Sequence, residues 1–215
     1  MEPDAVEIRV IGCLIEKQRT TPDVYPLTLN ALRLACNQST NRDPVVDYDE
    51  NTIRSGIERL VQRKWATLAS WSNRRSMKYR HTLDGALGLS EPEISLLAVL
   101  MLRGAQTPGE LKARTERLHP FGDMEELGGT LDRLIERRLA ARLDRRPGQR
   151  EERFRHLLAE EAEEAAEAPG APGLPAPAPA PAPVAGESED RMERIERQLA
   201  ELRSEIQALR EELGT

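Results

Sequence analysis

The sequence predicts a mainly α fold with small β-wings, an α+β architecture of tandem winged helix-turn-helix domains followed by a Pro/Ala linker and a C-terminal coiled-coil helix. Three observations carry this expectation. Leu, Ile and Val recur at helical spacing and only seven residues are aromatic, which suits small helical cores. One long unit occurs twice. The last 27 residues or so carry an uninterrupted heptad seam. The expected boundaries are 1–86 and 87–158 for the two winged-helix domains, 159–187 for an acidic and Ala/Pro-rich linker, and 188–214 for the coiled-coil helix.

The first helix of each unit is read from "IRVIGCLI", starting at Ile8, which matches "ISLLAVLM", starting at Ile94. Thr21-Pro22 is aligned with Thr107-Pro108, where Thr107-Pro108-Gly109-Glu110 has the pattern of a capping box with proline at the first helical position of the second helix. A polar turn follows, "ACNQSTNRDPVV" in the first unit and the shorter "RLHPFG" in the second. Asp49 and Asp123 are the expected caps of the third helices. There "IRSGIERLVQRKW" lies over "LGGTLDRLIERRL" without a gap, placing Ile53, Ile57, Leu60 and Val61 against Leu127, Leu131, Leu134 and Ile135 on one helical face. Each unit closes with two short extended segments around a basic loop: "ATLAS" and "YRHTL" around "WSNRRSMK", then "AARL" and "FRHLL" around "DRRPGQREER". Three helices and a hairpin describe a winged helix.

The segments "VIGCLIEKQRTTPDVYPLTLNAL", "ACNQSTNRDPVV" and "VLMLRGAQTPGEL" resemble the YceH-like family of uncharacterised bacterial proteins over about the first 158 residues. That resemblance implies two winged-helix domains. It transfers no catalytic or binding residue.

Beyond the body, the stretch "APGAPGLPAPAPAPAPVAG", with its alternating Ala-Pro, forms a semi-rigid extended spacer, because each proline fixes its own φ and restricts its predecessor. Met192, Ile195, Leu199, Leu202, Ile206, Leu209 and Leu213 then alternate spacings of three and four. With Met192 at position a, Glu205 at g would meet Arg210 at e of a parallel partner, so a homodimer or a partner helix is expected there.

Composition excludes several classes. The start "MEPDAVEIRV" lacks a basic segment leading into an apolar run, and no stretch reaches the ~18 apolar residues of a membrane span, so a cytoplasmic protein with no membrane partner is expected. Cys13 and Cys36 lie in apolar helical patterns, which fits buried thiols in a reducing compartment; the Asn37-Gln38-Ser39 sequon is then idle. Net charge is −6, yet residues 1–158 carry 26 basic and 23 acidic side chains, whereas residues 159–215 carry 5 and 14. The acidity belongs to the tail.

No phosphate-binding glycine loop, Gly-x-Ser-x-Gly or zinc-spaced Cys/His set is present, so neither an enzyme nor a cofactor, metal or small-molecule ligand is expected. Cys36 as a nucleophile finds only amides and hydroxyls nearby in sequence. His81 and His156 stand at equivalent strand positions and share a packing or strand-end role. The Gly128-Gly129 pair, inside the second unit's third helix, is read as a place of close backbone approach or as tolerated drift.

The expected function is DNA binding or regulation by the first domain. Its third helix would present Arg54, Ser55 and Arg59, the wing Arg74, Arg75 and Lys78, and the turn Asn41 and Arg42, to double-stranded DNA. Asp47, Asp49 and Glu50 oppose phosphate at the same helix start. The alternative is a tandem winged-helix interaction scaffold without DNA affinity, since fold alone does not choose.

Overall fold

Asp4 opens α1 (Ala5–Thr20) by accepting from the Glu7 backbone N–H, while the Glu7 carboxylate accepts from the Asp4 N–H, a capping box that closes two otherwise free donors. The computed structural model describes residues 2–69, 77–144 and 151–159. Arg74 and Arg75, the linker beyond Ala159 and the heptad residues Met192 to Leu213 lie outside the described residues.

After α1 come a 3-10 turn (Pro22–Val24), β1 (Leu27–Thr28), α2 (Leu29–Cys36), α3 (Glu50–Gln62), β2 (Ala66–Ala69) and β3 (Lys78–His81). A short α4 (Leu83–Leu87), ended by Gly88 in the left-handed region at φ 62°, leads into α5 (Glu91–Arg103). Then follow α6 (Pro108–Thr115), α7 (Met124–Glu136), β4 (Ala140–Leu143) and β5 (Arg153–His156). Among the described residues the architecture is mixed: helices with two small antiparallel sheets.

The repeat extends into the strand pairing. β3 lies between β1 and β2, with Leu27 opposite Tyr79 and Leu68 opposite Tyr79 on its other side. In the second copy β4 pairs with β5, and Gln106 forms a single antiparallel bridge with Phe154, closed by hydrogen bonds of 3.0 and 2.8 Å. Gln106 thus stands where Leu27 stands, and Thr107 where Thr28 stands.

This overturns one alignment. Thr107 caps α6 in a full capping box with Glu110, but its counterpart is Thr28, which caps α2 by accepting from the Ala31 N–H. Thr21 instead ends α1, its N–H donating to the Lys17 carbonyl. The first copy is seven residues longer here, and the extra length is the 3-10 turn headed by Pro22 and the cis Tyr25–Pro26 bond.

α5 is apolar on every side because it is covered on every side: α1 lies along it, while α6, α7 and β5 meet it from the second copy. Ile94, Leu96, Leu97 and Leu100 are at most 2% exposed, and each contributes about 1.5–3 kcal/mol by leaving water. Gly12 permits the contact, since a Cβ there would lie 3.0 Å from the Leu102 Cγ. In the third helices Ile53, Ile57 and Leu60, and Leu127, Leu131 and Leu134, are buried as expected, whereas the last members of each face, Val61 and Ile135, are only partly buried.

Gly56 holds α3 close to α1, because a Cβ there would come within 2.9 Å of the Val6 Cγ1. Gly128 does nothing comparable. A Cβ on it meets no atom within 4 Å, and one on Gly129 meets only the Arg133 Nη1 at 3.8 Å, so the close backbone approach expected of this pair is absent among the described residues. Gly128→Ala is therefore expected to stabilise the chain by about 1 kcal/mol through helix propensity, read as a higher urea midpoint at unchanged slope; a lower midpoint would show that the glycine is required.

Candidate functional site

Four carbonyls at the end of α2 and in the turn behind it have no helical partners, and two arginines are buried to serve them. Arg9, from the apolar face of α1, donates to the Cys36 carbonyl at 3.2 Å and to the Pro44 carbonyl at 2.5 Å. Arg42 donates its Nε to the Ala35 carbonyl at 3.1 Å. Its Nη1 goes to Glu16 Oε1 and the Asn41 carbonyl, and its Nη2 to Glu16 Oε2 at 2.6 Å and Gln38 Oε1 at 2.8 Å. All five donors of a fully buried guanidinium are thus used, and none is left for phosphate. Burial alone would raise the Glu16 carboxyl, but Arg42 outweighs it and holds the group below its ordinary value.

The rest of the turn is equally committed. Asn37 mimics a strand partner, its Nδ2 donating to the Tyr48 carbonyl at 2.8 Å and its Oδ1 accepting from the Tyr48 N–H at 3.0 Å. The Asp43 N–H donates to the Leu102 carbonyl at 2.8 Å, and Arg103 donates to Asn41 Oδ1, so the turn closes the C-terminal end of α5. Asn41 takes the left-handed conformation, φ 63°, tolerated by its short amide.

On α3 the expected arginines divide. Arg59 faces α1, donating to Asp4 Oδ2 at 2.5 Å and Glu7 Oε2 at 3.1 Å, beside Arg63, which donates to Glu7 Oε1 at 2.8 Å. Glu7 is only 2% exposed; burial pushes its carboxyl up, and the Asp4 N–H and the two guanidiniums more than reverse this. Arg54 lies about 140° around the helix from Arg59. It donates to Glu50 Oε1 at 2.6 Å, one turn earlier, and Ser55 beside it is exposed.

Arg54 and Glu50 border a groove of about 380 Å³ lined also by Thr28, Leu29, Asn30, Met77 and Tyr79. Three elements distant in sequence therefore meet: the N-terminus of α2, the first turns of α3 and the start of β3, where Lys78 is half-buried. Arg33, absent from the sequence-derived set, joins them by donating to Asn30 Oδ1 at 3.2 Å. Met77 is 62% exposed and Leu68, opposite Tyr79, 48%. In the second copy, Met124 and Gly128 hold the positions of Glu50 and Arg54, so neither charge is present.

Cys13 and Cys36 are free and fully buried; the neighbouring Cys13 thiol, then burial, pushes the Cys36 thiol well above its ordinary value. Among the described residues no His, Cys, Asp or Glu cluster has the arrangement to hold a metal ion, and no helix is long and apolar enough to cross a membrane.

Residues 4–149 match the family described as "Protein of unknown function, DUF480". The chain is 41% identical to UPF0502 protein YceH of Escherichia fergusonii over 220 residues, covering 99% of this chain and 98% of that protein. It is 50% identical to a UPF0502 protein of Azotobacter vinelandii over 155 residues, 72% of this chain and 69% of the relative.

Proposed function

Because the chain belongs to the DUF480 family, whose description assigns no activity, we propose a role from the groove itself: the first copy acts as a winged helix-turn-helix that binds duplex DNA. The observation that supports this most is the meeting of the α2 N-terminus, the first turns of α3 and the base of the basic loop around one groove. In a winged helix these are the parts that meet phosphate, major-groove edges and flanking backbone. The contact set is Arg33, Arg54, Ser55 and Lys78, with Arg74 and Arg75 of the loop. Arg42 and Arg59 leave it, since their donors serve Glu16, Asp4 and Glu7. Self-association through the heptad seam would present two such grooves to half-sites spaced about one helical turn or a multiple of it apart.

Titration of the full chain with random duplex between about 50 and 200 mM salt tests this. Each lost phosphate contact lowers the slope of log affinity against log salt by about 0.9, so the double variant Arg33→Ala, Lys78→Ala is expected to flatten it by about two. Arg59→Ala should leave the slope unchanged. Absence of retardation at the lower salt ends this reading and favours the second, a protein-interaction scaffold. That alternative draws support from Met77 and Leu68, exposed apolar side chains beside the groove that suit an apolar partner anchor.

A further inference from the structure

We propose that Glu50 and Arg54 together read base identity, so that the first copy prefers duplexes in which a cytosine lies beside a guanine. The inference rests on the DNA-binding reading above and assigns its sequence preference. Both side chains are on the first two turns of α3, the part of a recognition helix that reaches base edges. Both are about half exposed, at 54% and 42%, and both line the groove. Asp49 fixes the start of the helix by accepting from the Thr52 N–H at 2.7 Å, so the pair projects from a defined first turn.

The chemistry of the two groups differs in what it accepts. A carboxylate beside a phosphate is repelled, so Glu50 lowers affinity for backbone in general. In the major groove the same carboxylate has a partner, the cytosine N4 amino group, which donates. Arg54 gives only its Nη2 to Glu50 and makes no other hydrogen bond among the described residues. Its remaining donors match the O6 and N7 acceptors of guanine. On binding, the ion pair is exchanged for one acceptor and one donor contact on adjacent base pairs. A·T pairs offer Arg54 no such pair of acceptors.

The second copy argues that the fold does not require this pair. Its third helix has the same cap and the same buried face, yet carries Met124 and Gly128 at these positions. Within α3, the charges therefore mark a property of one surface.

Anisotropy titrations of the full chain with labelled duplexes of alternating G·C and alternating A·T test the inference. Wild type is expected to bind the G·C duplex about tenfold more tightly, near the lower range of one bidentate base contact. Glu50→Gln is expected to raise affinity for the A·T duplex several-fold and to narrow the ratio, and Arg54→Ala to abolish it. Equal affinity of the wild type for both duplexes, or a ratio unmoved by Glu50→Gln, overturns the inference while DNA binding stands. Binding to neither duplex overturns both.

Discussion

Replacing Arg42 with alanine is expected to cost about 3–5 kcal/mol of unfolding free energy, the range for breaking a buried ion pair from one side. The change leaves the Glu16 carboxylate, whose side chain is 14% exposed, with only the Lys17 ammonium at 3.5 Å, and leaves the Ala35 and Asn41 carbonyls without a donor. It also loosens the turn that reaches Asn41 and Asp43 across to α5, so both copies feel it. Removing both charges is different. The pair Arg42→Met, Glu16→Leu removes both buried charges, leaves Lys17 its bond to Gln38 Oε1, and should recover much of the loss, because a buried pair and well-packed apolar residues are often close in free energy. Urea melts of wild type, single and double variants at pH 7.5 check this. A single-variant loss below about 1 kcal/mol would show that the turn relaxes to hydrate Glu16, and that Arg42 is dispensable to the fold.

The helical faces were legible because burial follows a 3.6-residue period, and Ile53 to Leu60 and Leu127 to Leu134 follow it closely. The equivalence of Tyr79-Arg80-His81 with Phe154-Arg155-His156 was legible too, since both strands carry an aromatic residue and a histidine on their buried face. The Thr21-Pro22 alignment failed because a Thr-Pro pair resembles a helix start wherever it occurs. What marks the true cap is β1, and two residues are too few to show an alternation.

The candidate site was legible to a lesser degree for a related reason. An arginine in a polar turn looks alike whether it is solvated or buried, and the partners that decide between the two are far along the chain: Glu16 is 26 residues from Arg42, and Asp4 is 55 from Arg59. A usable signal did exist. Glu7 sits within the apolar stretch of α1, and an ion inside such a face requires a buried partner. That requirement points to Arg59, not to Arg42, whose partner Glu16 lies beyond the buried stretch. Arg33, which the DNA-binding reading adds, is not visible in the sequence because only the fold brings α2 beside the start of β3.

Lowering the pH from 7.5 to 5 is expected to remove about 4 kcal/mol of stability, through His81 and His156. Both are buried, and burial lowers each pKa from 6.5 to about 4, with Asp84 partly opposing it and Arg19 and Arg80 adding to it at His81, and Arg155 adding to it at His156. The sign follows from the unfolded chain. Between the two pKa values unfolded imidazoles bind protons that folded ones refuse, so stability falls as pH drops from about 6.5 towards 4, by about 2 kcal/mol per histidine at pH 5. The hydrogen bonds agree with a neutral ring: His81 Nε2 meets Gln18 Oε1, and His156 Nδ1 accepts from the Leu158 N–H at 3.3 Å, a contact that protonation would break. Glu7 and Glu16, whose folded values are depressed, add a further loss only below about pH 4.5. Urea melts at intervals from pH 7.5 to 5 give the slope directly, and His81→Gln with His156→Gln should flatten it even if the variant is less stable throughout. A wild-type change under about 1 kcal/mol across that range would mean that both rings charge in place, and that the strand ends open to water far more readily than their burial implies.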